Sequence, residues 1–66
     1  LTFNSTGEYV KHLQRRLNFI NYGPLAADGI FGVATEEAVK KFQKFNDLTV
    51  DGIVGPQTWE RLESLG

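Results

Sequence analysis

Apolar side chains recur along this chain at helical intervals in three stretches. Val10, Leu13, Leu17 and Ile20 follow one another at intervals of three and four, with Gln14 in the same stripe. That spacing puts them on one face of a helix. Lys11, His12, Arg15 and Arg16 fall on the other side. The pattern predicts a first helix over 6–20. Ser5 and Glu8 stand three apart at its start, the capping-box spacing, so the Ser5 hydroxyl is expected to accept a first-turn N–H. Asn21-Tyr22-Gly23-Pro24 breaks the helix, with Gly23 suited to a left-handed cap and Pro24 unable to continue it.

Ala38, Val39, Phe42 and Phe45 form the next stripe and predict a second helix over 33–45, with Glu36 and Glu37 near its first turn. Asn46 to Val50 ends it. Gly55-Pro56 marks the third helix, over 56–65, because proline is favoured at the first helical position. Trp59, Leu62 and Leu65 share one side of it. No stretch alternates long enough to be a strand, although Thr49-Val50 and Ile53-Val54 suit one or two bridge residues. The expected fold class is all-α: a three-helix bundle with two pseudo-repeated loop-helix units.

The repeat is explicit. Residues 28–39 and 51–62 share Asp28/Asp51, Gly29/Gly52, Ile30/Ile53, Gly32/Gly55, Thr35/Thr58 and Glu37/Glu60 at a spacing of 23. Two copies point to internal pseudo-symmetry, not a long solenoid. The helices echo each other too: Val10-Lys11-His12-Leu13-Gln14-Arg15 matches Val39-Lys40-Lys41-Phe42-Gln43-Lys44.

With 66 residues and no cysteine, one small domain must be held by packing alone. The expected interior is Val10, Leu13, Leu17, Ile20, Leu25, Ile30, Phe31, Val39, Phe42, Phe45, Leu48, Ile53, Leu62 and Leu65. Full burial of each stabilises by roughly 1.5–3 kcal/mol. This suffices for a compact bundle and leaves little room for a deep catalytic cavity. The net charge of −1 argues against a nucleic-acid footprint, which needs a basic face. No apolar run reaches the length of a membrane span, and no signal peptide is seen. The chain starts at Leu1, and the expectation is a single domain, residues 1–66, excised from a larger protein.

Several residues invite a chemical reading beside a structural one. Asp28 and Asp51 each precede glycine, as in an Asx turn; the functional reading has them facing sugar hydroxyls or a peptide amine. A catalytic pair would need both carboxylates at one bond, roughly 5–10 Å apart, and a repeat on opposite sides of a bundle disfavours that. Gly29, Gly32, Gly52 and Gly55 permit positive φ or close backbone approach, and leave N–H groups at two helix starts suited to a carboxylate. Gln14 and Gln43, polar within apolar stripes, are expected to tie a loop backbone to a helix, or else to line a groove. Thr35 and Thr58 read first as partners of their own helix starts or of the Asp loops. Among aromatic candidates for a sugar-facing platform, Trp59 is expected in the core and Tyr22 at the surface, with Tyr9 and Phe31 beside them. His12 reads as solvated. No second His and no Cys accompany it, so neither a zinc site nor a nucleophile–base pair is supported.

These motifs together resemble the peptidoglycan-binding domain family, the small three-helix type appended to bacterial and phage cell-wall hydrolases. The residues that carry the resemblance are Gly7, Val10, Leu13-Gln14 and Leu17; Asp28 to Gly32 and Thr35; Ala38-Val39 and Phe42-Gln43; and Asp51 to Gly55, Thr58-Trp59 and Leu62. They span about residues 5–65. The linker Asn21 to Ala27 departs from the family's usual Gly-Tyr order. The resemblance implies a non-catalytic module that holds a covalently linked hydrolase on peptidoglycan, outside the cell or in the wall. No cofactor, metal, nucleic acid or membrane partner is expected, and the domain is read as a monomer. The residues taken as substrate-binding are Gln14, Tyr22, Asp28, Gly29, Phe31, Gln43, Asp51 and Trp59, with the first loop, Asp28 to Gly32, as the better of the two sites. The rival is a protein-interaction or inhibitory prodomain like that of matrix metalloproteases, weakened by the missing cysteine.

Overall fold

A computed structural model describes residues 1–65 and places three helices among them: α1, Glu8–Phe19; α2, Val33–Phe45; α3, Pro56–Ser64. None is long and apolar enough to cross a membrane. The nine-residue core joins Val10, Leu13 and Leu17 of α1, Ala38, Val39 and Phe42 of α2, Leu62 of α3, and Phe31 and Val54 from the loops.

α1 begins two residues later than the sequence predicts. Its N-cap is Gly7, at φ 118°, and no side chain caps it. The expected capping box is absent because Ser5 is engaged elsewhere. Its hydroxyl accepts the Thr2 N–H (3.0 Å), and its carbonyl accepts the Phe31 N–H (2.9 Å). The lead-in is thereby drawn into an antiparallel bridge, Thr6 to Ile30, also tied by Gly7 N–H to the Gly29 carbonyl. This is the β-bridge among the described residues. The stretches at Thr49-Val50 and Ile53-Val54 form none; there Val54 exchanges bonds with Leu1 instead (2.7 and 3.0 Å).

α1 and α2 stop in the same way. Asn21 (φ 69°) and Asp47 (φ 57°) take the left-handed conformation just past each helix. The next residue then donates back: Tyr22 N–H to the Leu17 carbonyl (2.8 Å) and Leu48 N–H to the Gln43 carbonyl (2.9 Å). This is the Schellman geometry, and it turns the following apolar side chain inward. Asn21, not Gly23, supplies the left-handed residue, since a short polar side chain tolerates that region. Tyr22 therefore packs on the core, edge-on to Phe42 at 5.5 Å, instead of standing at the surface.

The interior also differs from expectation in a regular way. In both Asp-Gly loops the isoleucine points out and the next residue points in. Ile30 and Ile53 are 56% and 48% exposed, whereas Phe31 and Val54 are buried. Alternate residues of an extended segment face opposite ways, so one inward side chain forces its neighbour out. Val54 joins the core unforeseen. Phe45 and Leu65 are exposed, the first in the last turn of α2 and the second just past α3. Ile20, Leu25 and Leu48 pack around the core, partly buried.

The alternation gives a direct test by urea denaturation. Phe31→Ala is expected to lower the unfolding free energy by about 3–5 kcal/mol. Ile30→Ala, one residue away, is expected to change it by about 0.5 kcal/mol or less. Equal losses would contradict the inward-outward assignment.

Candidate functional site

Each Asp-Gly loop is closed by a glutamine from the preceding helix. Gln14 and Gln43 are only 1% exposed. The Gln14 amide nitrogen reaches Asp28 Oδ1 (3.2 Å), the Ile30 carbonyl (2.9 Å) and Thr35 Oγ1 (3.1 Å). Its oxygen accepts the Gly29 N–H at 3.0 Å. Gln43 repeats the pattern with Asp51 Oδ1 (3.0 Å), the Ile53 carbonyl (3.0 Å), Thr58 Oγ1 (3.3 Å) and the Gly52 N–H (3.0 Å). It also accepts the Asp51 N–H at 3.2 Å. An amide offers two N–H donors, so three acceptors must share them.

Each aspartate closes its own turn as well, accepting the N–H of Ile30 or Ile53 on the same Oδ1 (3.0 and 2.9 Å). Those backbone donors, then the glutamine, hold both carboxyls below the ordinary aspartate range, because they stabilise the charged form. Gly29 and Gly52, at φ +78° and +72°, let the backbone turn where the glutamine oxygen waits. A Cβ on Gly29 would meet the Gly7 carbonyl at 3.1 Å, and one on Gly52 would meet Lys40 Cε at 3.2 Å. Threonine and helix start are thus fixed by the same amide that fixes the turn.

The copies differ in their surroundings. Glutamine and aspartate stand 14 residues apart in the first copy and 8 in the second. The first loop is overlaid by the lead-in through the Thr6–Ile30 bridge. Phe31, expected in the interior and also named among the aromatic candidates for a ligand-facing surface, is wholly buried. The second loop borders an open groove of about 450 Å³ that runs to the start of α3. Leu48, Ile53 and Pro56 give it apolar walls; Thr49, Asp51 and Gln57 give it polar ones.

Of the eight residues singled out from the sequence, Gln14, Gln43, Phe31 and Gly29 are buried in the clamps or the core. Asp28 and Asp51 are exposed, each with Oδ1 committed to its loop. Tyr22 and Trp59 are half-buried. Trp59 stacks on His12, with ring centroids 5.7 Å apart and planes 21° from parallel. His12 Nε2 also meets Glu63 Oε1 at 3.1 Å; His12 is exposed, as the sequence suggests, and also paired across to α3. Its i, i+3 relation to Tyr9 was visible in the sequence; its approach to α3 required the bundle. No group of three or more His, Asp or Glu side chains among the described residues could hold a metal ion.

Two measurements test the clamps. Removing Gln43 strands the buried Gly52 N–H, so Gln43→Ala should lower stability by about 1–3 kcal/mol in chemical denaturation. The aspartates set the acid limb. The unfolded chain titrates at the ordinary value of 3.8 and the native one lower, so the unfolded state binds more protons between them. Stability from these carboxylates is therefore full above 3.8 and falls as pH drops through the lowered native values. The Asp28→Asn, Asp51→Asn double variant should show a shallower acid slope. An unchanged slope would contradict this origin.

The peptidoglycan binding domain family model, described as putative, matches residues 6–62. The zinc D-Ala-D-Ala carboxypeptidase of Streptomyces albus G is 43% identical over 67 residues, covering 98% of this chain and 26% of that protein. The endolysin of Burkholderia phage AP3 superposes with a TM-score of 0.93 at 39% identity, covering all of this chain and 25% of that one. A peptidoglycan-binding protein from Clostridioides difficile, solved with glutamine hydroxamate, gives 0.95 at 38% identity, covering 98% of this chain and 40% of that one. The chain spans 54% of one curated relative, from Kitasatospora aureofaciens, and 18% of another, the spore cortex-lytic enzyme of Halalkalibacterium halodurans. A match over nearly the whole chain, on a superposable fold, places this chain in the peptidoglycan-binding domain family.

Proposed function

We propose that this domain binds peptidoglycan without cleaving it and anchors a fused cell-wall hydrolase on its substrate, outside the cell or in the wall. The observation that carries the reading is the open groove between the second Asp-Gly loop and the start of α3. It is preformed, because Gln43 fixes the loop from beneath. Its apolar and polar walls suit a stem peptide, which offers small side chains, amides and carboxylates. Asp51 contributes a carboxylate whose Oδ2 carries neither of the loop's bonds. Asp28, Tyr22 and Trp59 lie away from this groove's lining, and Gln14, Gly29 and Phe31 belong to the first loop's clamp and the core.

The hydrolase reading is supported by the relatives, a carboxypeptidase, a spore cortex-lytic enzyme and an endolysin, each much longer than this chain. Tethering raises the local concentration of a catalytic domain without new chemistry. A shallow groove is adequate for that task, since weak contacts let the enzyme move on.

Co-sedimentation with purified, insoluble peptidoglycan is the test. The domain should pellet with the polymer and release no soluble muropeptide. Ile53→Asp places a charge on the groove wall at an exposed position and should reduce pelleting about tenfold, a loss near 1.4 kcal/mol, with the urea midpoint little changed. Pelleting that survives Ile53→Asp would contradict the groove. Absent pelleting of the unaltered domain would contradict the function.

A further inference from the structure

On the side of α3 away from the groove lies a second feature that the proposed function does not use. Trp59 follows Gln57 by two residues, about 200° around the helix. Trp59 and Glu63, one turn apart, face Tyr9 and His12 of α1 across a depression of about 320 Å³ with an almost wholly apolar lining. A second depression, of about 440 Å³, shares Tyr9 and His12 and is rimmed by Glu8 and Arg15.

The rings here are held in place. Trp59 packs against the core, His12 stacks on it nearly parallel, and Glu63 accepts the His12 Nε2–H. Tyr9 stands beside them, 75% exposed. Burial cannot account for an aromatic ring left in water. Near-parallel rings with a carboxylate at their edge offer a stepped apolar surface plus a hydroxyl or amide acceptor. Ordering the His12 and Trp59 rings on binding costs little entropy, because each is already held by a neighbour.

We propose that this face is a second polymer-contact site, taking an uncharged acetamido-sugar ring of the glycan strand. The proposal rests on the reading of the domain as a peptidoglycan binder. Glu8 and Glu63 are offset by Arg15, so the face presents no dominant charge that would favour an anion or a cation over a neutral ring. The apolar C–H face of the sugar lies on the Tyr9–His12–Trp59 surface, and Glu63 accepts from a hydroxyl or the acetamide N–H. Groove and platform then grip peptide and sugar from opposite sides of one helix. Two weak contacts on one polymer reinforce each other without a deep cavity.

The test is an NMR titration of the domain with chitotetraose, a peptide-free oligomer of N-acetylglucosamine. Saturable shifts are expected at the Trp59 indole N–H and at the amides of Tyr9, His12 and Glu63. Tyr9→Ala and Glu63→Gln, both at exposed positions, should each weaken the sugar about fivefold with a dispersed spectrum retained. Ile53→Asp should leave the sugar titration unchanged. No shift up to about 10 mM sugar, shifts confined to the Gln43–Thr58 groove, or an unaltered affinity in Tyr9→Ala would overturn the proposal. If the domain still pellets with whole peptidoglycan in that event, the platform fails and the peptidoglycan-binding reading stands. If it does not pellet, that reading fails on its own test.

Discussion

A buried side-chain amide is a liability unless every polar atom it carries finds a partner. In this domain two such amides, Gln14 and Gln43, organise what surrounds them. Each lies within an otherwise apolar helix stripe and meets an Asp-Gly turn whose backbone groups would themselves be stranded on burial. Turn and helix therefore solve one another's problem. The same amide reaches the threonine in the first turn of the next helix, so helix, loop and helix are registered by a single group. In a core of nine buried apolar residues, that polar geometry adds specificity that apolar packing alone supplies poorly.

The clamp divides the chemistry of the repeated motif. The aspartates spend one oxygen closing their own turns, and the glutamines spend their whole amide. Each aspartate keeps its other oxygen at the surface, and beyond the clamps lie the groove along the second loop and the start of α3 and a separate aromatic face. Pseudo-symmetry of the clamps does not extend to these surfaces. The lead-in occupies the flank of the first loop, and Phe31 takes the interior place its apolar ring predicted, not the ligand-facing one also considered. The two clamps thus match while their outer surroundings differ, the second loop bordering the groove of about 450 Å³.

The helices and the repeat were legible because periodicity and the Asp-Gly and Gly-Pro signals are local. The glutamine–threonine–aspartate association was half legible: residue types and spacing suggested loop tethering, but not that one amide serves both. Ser5 misled because its hydroxyl accepts the Thr2 N–H and its carbonyl the Phe31 N–H beside the Thr6–Ile30 bridge, a partner remote in sequence. Tyr22 and Leu48 depend on left-handed Asn21 and Asp47, which carry no glycine to announce them. The inward turn of Val54 follows from alternation in a segment too short to look like a strand. The His12–Trp59–Glu63 cluster joins residues as far apart as 51 positions, so only the packed bundle reveals it.

The central claim is that the buried amides hold the loops shut. Native-state hydrogen exchange at the Gly29 and Gly52 amides reads this directly, since each donates to a glutamine oxygen. If the clamps govern the fold, both amides exchange only with global unfolding, at rates matching core amides such as that of Leu17. Gln43→Ala then speeds Gly52 far beyond any change in global stability and leaves Gly29 tracking the core. Rapid exchange of both glycines in the unaltered domain, like that of exposed loop amides, would contradict the account.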